Sequence, residues 1–80
     1  MIRGADISIA QLRVLLAVAE EQSYTRAAAR LGVSQSGVSH SMKALEKLAG
    51  GPLITKAAER WDMTALGELA LTSARKVVGE

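Results

Sequence analysis

The stretch Ser23-Tyr24-Thr25-Arg26-Ala27-Ala28-Ala29-Arg30-Leu31-Gly32-Val33-Ser34-Gln35-Ser36-Gly37-Val38-Ser39-His40-Ser41-Met42-Lys43 decides the fold. Ser23 is a good N-cap, and Tyr24, Ala27, Ala28 and Leu31 share one face of a short helix over residues 24–31. Gly32 ends that helix, since only glycine adopts a left-handed backbone at little cost. Ser34 then caps a longer helix over 35–49, closed by Gly50, Gly51 and Pro52. A short helix, a glycine-containing turn of about 3–4 residues and a longer second helix form a helix-turn-helix pattern. The Ala27-Ala28 pair suits it, because methyl-sized side chains let a second helix approach closely.

The 35–49 helix has two distinct sides. Val38, Met42, Leu45 and Ala49, with Leu48 beside them, form an apolar stripe. Gln35, Ser36, Ser39, His40, Lys43 and Lys47 lie opposite. Outward from this pair, Ser8 caps a helix over 9–21 whose apolar face is Ile9, Leu12, Leu15, Leu16 and Ala19. Residues 53–56 and 60–63 are β-prone, with a turn at Ala57-Ala58-Glu59, and read as a small hairpin. Thr64 caps a last helix over 65–78, with Leu66, Leu69, Ala70, Ser73 and Val77 on one side. The expected fold class is mainly α: a three-helix core, a two-stranded hairpin and a C-terminal helix.

Composition narrows the function. Eighty residues make one domain. No cysteine is present, which removes disulfides and thiolate metal sites, and one histidine cannot build a His-based metal cluster. No metal or cofactor is expected. A Ser39-His40-Asp62 hydrolytic site lacks any second layer to form a pocket, so an enzyme is not expected. No apolar run is long enough to span a membrane, and the N-terminus does not read as a signal peptide; the expected location is the cytoplasm, without membrane contact. Net charge is only +2, but residues 23–60 hold six of the ten bases and two of the eight acids. That concentration is the footprint a phosphate partner would leave, although an ordinary solvated surface has the same charges.

The polar side of the 35–49 helix carries chemistry suited to base edges. Glutamine pairs bidentately with adenine in the major groove, serine bonds base edges or phosphate, and histidine and lysine donate to guanine or phosphate. The helix N-termini around Ser23, Thr25 and Ser34 add backbone N–H donors and a positive dipole end. Trp61 is expected to pack on the first or last helix rather than to stack on a base.

Taken in order, several motifs resemble the LysR-type transcriptional regulators. They are Gln11-Leu12-Arg13, the run from Ala17 to Ala28, Leu31 to Ser39, Leu45-Glu46, Gly51-Pro52-Leu53 and Thr64-Ala65-Leu66-Gly67. The resemblance runs from about Ile7 to the end, and several motifs in fixed order make it specific. It implies a winged helix-turn-helix over 1–63, the hairpin being the wing, and a linker or dimerisation helix over 64–80. It implies base reading by Gln35, Ser36, Ser39 and His40. Phosphate contacts fall to Thr25, Ser34, Lys43, Lys56 and Arg60, to which the basic segment and the helix start add Ser23 and Arg26. Leu66, Leu69, Ala70, Ser73 and Val77 would pair two copies into a homodimer on double-stranded DNA. A small-molecule effector would bind only in a larger domain beyond residue 80, so the chain is expected to be part of a longer protein. Ser36 stands where the family often has Pro, His40 where it has Arg, and Ile54 where it has Phe. Ala58, Glu59 and Asp62 make the wing less basic than usual. The alternative function is a winged-helix protein-interaction module that reads no bases.

Overall fold

The computed structural model describes residues 8–57 and 60–79, the side chains of Ala57 and Arg60 apart. In chain order the elements are α1 (Ile9–Glu21), α2 (Tyr24–Leu31), α3 (Gln35–Ala49), β1 (Ile54–Ala57), β2 (Arg60–Met63) and α4 (Ala65–Val78). The helix limits coincide with those expected from caps and periodicity. Each helix begins at a Ser or Thr whose hydroxyl accepts a backbone N–H three residues on: Ser8 from Gln11, Ser23 from Arg26, Ser34 from Gly37 and Thr64 from Gly67. At Ser8 the bond is reciprocal, because the Gln11 side chain accepts the Ser8 N–H at 3.1 Å. Gly32 closes α2 with φ at 71°, as its place in the turn requires.

α1 is the centre of the molecule and packs against α2, α3 and α4. Its buried residues are Val14, Leu15, Leu16, Ala17 and Val18, five in succession, while Ile9 is 53% exposed and Leu12 and Ala19 are half-buried. The expected single face of Ile9, Leu12, Leu15, Leu16 and Ala19 is therefore corrected: with three helices around it, the middle of α1, from Val14 to Val18, is covered on every side and shows no period there. Burying Leu15 and Leu16 completely contributes about 1.5–3 kcal/mol each. Val38, Met42 and Leu45 of α3 close the core from below, as their stripe predicted.

The two strands pair antiparallel, Ile54 opposite Met63 and Ala57 opposite Arg60. Leu53 precedes the sheet rather than opening it, and its side chain lies in the core. Of the expected turn residues, Ala57 is instead the last residue of β1, paired with Arg60, while Ala58 and Glu59 lie outside the described residues. The base of the hairpin is pinned on both sides. Glu46 Oε2 of α3 accepts the Leu53 N–H at 2.9 Å, Leu53 O accepts the Thr64 N–H at 3.0 Å, and Thr64 Oγ1 donates to Pro52 O at 2.7 Å. Gly67 then passes so close to Leu53 that a Cβ there would overlap its carbonyl and come within 3.0 Å of Met63 Cε.

Candidate nucleic-acid interface

The polar side of α3 stands clear of the protein. Gln35, Ser36, His40, Lys43 and Lys47 are exposed and Ser39 is half-buried, while the opposite stripe fills the core. Residues 35–43 contain no acid. The one acid farther along α3, Glu46, is half-buried and committed to the Leu53 N–H. A convex row of hydrogen-bond donors and acceptors on a helix of about 10–12 Å diameter has the size and chemistry of a major-groove reader.

The start of that row is ordered by short polar contacts. Ser34 Oγ accepts the Gly37 N–H at 3.0 Å and lies 3.1 Å from Ser36 Oγ. Thr25 Oγ1, on α2, donates to Gln35 Oε1 at 3.2 Å. The N-termini of α2 and α3 thus sit together at one end of the exposed face, where their N–H groups favour anions. Ser23 is half-buried, and its hydroxyl is engaged in capping. Arg26 is exposed but turned back towards α1: Nη2 donates to Glu21 O at 2.6 Å and Nε lies 3.6 Å from Glu21 Oε1. Arg30 is likewise engaged, with Glu20 at 2.5 Å. Part of the basic charge read from the sequence is therefore balanced at the α1–α2 corner.

Lys56 projects from β1 and is exposed; the Arg60 side chain and Glu59 lie outside the described residues. Between the wing and the two helix N-termini runs an open groove of about 590 Å³, lined among others by Ser23, Thr25, Gln35, Lys56 and Trp61. The Trp61 ring meets Tyr24 of α2 edge-on, with centroids 6.3 Å apart and planes at 72°. The packing role expected for Trp61 thus has a partner on α2, a helix the sequence reading had not named. Burial, and then the nearby Glu46 carboxylate, push the Tyr24 phenol above its ordinary value of 10.0.

On α4, Leu69 is 69% and Val77 59% exposed, Ser73 is exposed, and Leu66 and Ala70 are half-buried. The other side of α4, which the sequence reading missed, places Gly67, Leu71 and Ala74 in the monomer core. The signal was available: Leu71 and Ala74 fall at helical spacing from Gly67 and Val78. Ala70 and Ser73 also border a mostly apolar groove of about 270 Å³ with Leu12, Leu45, Ala49 and Leu53. Among the described residues no group of three or more His, Cys, Asp or Glu side chains is placed to hold a metal ion. No helix among them is long and apolar enough to cross a membrane.

Residues 9–68 match the family described as bacterial regulatory helix-turn-helix protein, lysR family. The chain belongs to the LysR family. Among sequence relatives, the HTH-type transcriptional regulator IlvR of Caulobacter vibrioides is 44% identical over 61 residues, 76% of this chain and 21% of IlvR. The chain thus spans between about a fifth and about half of the length of the curated LysR-type relatives it matches. Among solved structures, the CbnR DNA-binding domain in complex with DNA superposes with a TM-score of 0.83 at 34% identity, over 91% of this chain and 84% of that one. The BenM DNA-binding domain bound to catB site 1 DNA gives 0.83 at 30% identity, over 91% and 82%. The fold is the winged helix-turn-helix of LysR DNA-binding domains, with four helices and a two-stranded wing.

Proposed function

We propose that this LysR-family domain binds double-stranded DNA sequence-specifically for a transcriptional regulator, with α3 in the major groove. The observation that carries the reading is the uncovered, acid-free side of α3 from Gln35 to Lys43. The likeness to domains crystallised with DNA supports it. Gln35, Ser36, Ser39 and His40 meet base edges. Thr25, through its backbone N–H at the start of α2, together with Ser34 and Lys43 holds the DNA backbone near the helix N-termini, and Lys56 and Arg60 hold it from the wing. Ser23 and Arg26 join the backbone contacts if Arg26 leaves Glu21. Two copies pair through Leu66, Leu69, Ala70, Ser73 and Val77 of α4 and occupy half-sites of a pseudo-palindrome. Residues 1–63 are the reading unit and 64–80 the linker helix. Effector sensing belongs to a domain outside this chain, and the setting is the cytoplasm, at the nucleoid when bound.

The test is a titration of labelled duplexes selected from a random pool, against random duplex, at low and moderate salt. Gln35→Ala lowers affinity for the selected sequence by about 1–3 kcal/mol and relaxes preference at one base pair. Lys43→Ala weakens all sequences alike and reduces the salt slope by about one. If the unaltered domain retains selected and random duplexes equally, the reading is wrong and a protein-interaction module takes its place.

A further inference from the structure

We propose that Thr25 is a specificity-determining positioning residue, whose hydroxyl holds the Gln35 amide in the orientation that reads a base. The proposal rests on the reading that Gln35 contacts a base edge. Thr25 Oγ1 donates to Gln35 Oε1 at 3.2 Å, across the turn and between side chains ten residues apart. An unrestrained glutamine has three rotatable bonds, and its amide presents oxygen and nitrogen in either order. Adenine offers N7 as acceptor and N6–H as donor, whereas guanine offers two acceptors, so an amide free to turn discriminates poorly. The Thr25 bond occupies one lone pair of Oε1. The second lone pair and both N–H groups remain, a set that matches adenine. It also orders the side chain before binding, which removes part of the entropy lost on association.

Thr25 is itself well placed to be the fixed partner. Its β-branched side chain is restricted at χ1. Its helix is anchored by the Ser23 cap at one end and by buried Ala27 and Ala28 along its inner face. Both Thr25 and Gln35 are exposed in the free protein. Water competes for their bond there, and that competition ends when the duplex covers it. The contact therefore matters most in the complex.

The test measures binding of the 80-residue chain to the selected half-site and to variants with each base pair replaced in turn. The proteins are unaltered, Thr25→Val, Thr25→Ser, Gln35→Ala and the Thr25→Val/Gln35→Ala double variant, each checked by thermal melting. Valine keeps the branch and removes the hydroxyl. The expected result is that Thr25→Val lowers preference roughly fivefold at the base pair Gln35 reads and leaves other positions unchanged. Thr25→Ser restores the preference, and Thr25→Val adds nothing once Gln35 is alanine. A uniform loss on all duplexes, random ones included, overturns the proposal and makes the Thr25 hydroxyl, rather than only its N–H, a phosphate contact. An equal loss with and without Gln35 overturns it too. If Gln35→Ala alone alters no base preference, the base-reading assignment fails and the proposal falls with it, a result seen without any change at Thr25.

Discussion

Tyr24 lies under the wing, where α2 meets Trp61 and the carboxylate of Glu46. Partial burial disfavours the ionised phenol there, and repulsion from the Glu46 carboxylate adds to it. The folded value is raised above that of the unfolded chain, so the contribution to stability is fully present below pH 10.0 and is lost as pH rises through the raised folded value. We predict that the melting temperature of the unaltered chain falls more steeply above pH 10.0 than that of Tyr24→Phe, whereas the two lose stability in parallel between neutral pH and that point. At this scale the sequence was only partly legible. Helical spacing, together with the family resemblance, puts Gln35, Ser36, His40 and Lys43 on an open face, because a single amphipathic helix carries its own period. The Thr25–Gln35 bond, the turning of Arg26 towards Glu21 and the Tyr24–Trp61 contact join different elements, and no local pattern encodes such pairings.

The elements themselves were written plainly in the caps. Four Ser or Thr residues begin the helices, and three glycines and Gln22, all with positive φ, end them, so their bounds follow from residues that solve the unsatisfied backbone groups at helix ends. What the caps do not specify is which way each helix faces. α1 showed an apolar face that the structure replaces with a fully buried segment, and α4 showed its outer side while Leu71 and Ala74 formed the inner one. In both cases alanine and leucine are so frequent around the helix that periodicity distinguishes the faces poorly. The approach of α4 to the hairpin was equally hidden, since it depends on Gly67 lying against the Leu53 carbonyl. Gly67→Ala is predicted to destabilise the domain by about 1–3 kcal/mol in chemical denaturation, because the added methyl meets backbone that Glu46 and Thr64 hold in place. A neutral effect would mean that the wing base is far more pliable than its hydrogen bonds imply.

The whole molecule presents two surfaces of opposite character. One is polar, basic and convex, formed by α3 with the starts of α2 and the wing; the other is apolar, formed by the outer side of α4 with Leu69 and Val77. Leu69→Glu is predicted to abolish cooperative occupancy of two half-sites in binding isotherms while changing affinity for a single half-site less than twofold, the residue being exposed on the outer side of α4 and outside the polar row from Gln35 to Lys43, and its charge screened over about 8–10 Å. Equal cooperativity in the variant would remove α4 from the pairing surface. The central claim is that the Gln35 side of α3 lies in the major groove, and replacing purines one at a time by their 7-deaza analogues tests it most directly, since each removes a single acceptor found only in that groove. With Gln35 in the major groove, one position in the half-site exists where the analogue weakens binding by the unaltered chain but has no effect on Gln35→Ala. If no position distinguishes the two proteins, or if every analogue is bound as tightly as natural DNA, α3 does not lie in the major groove.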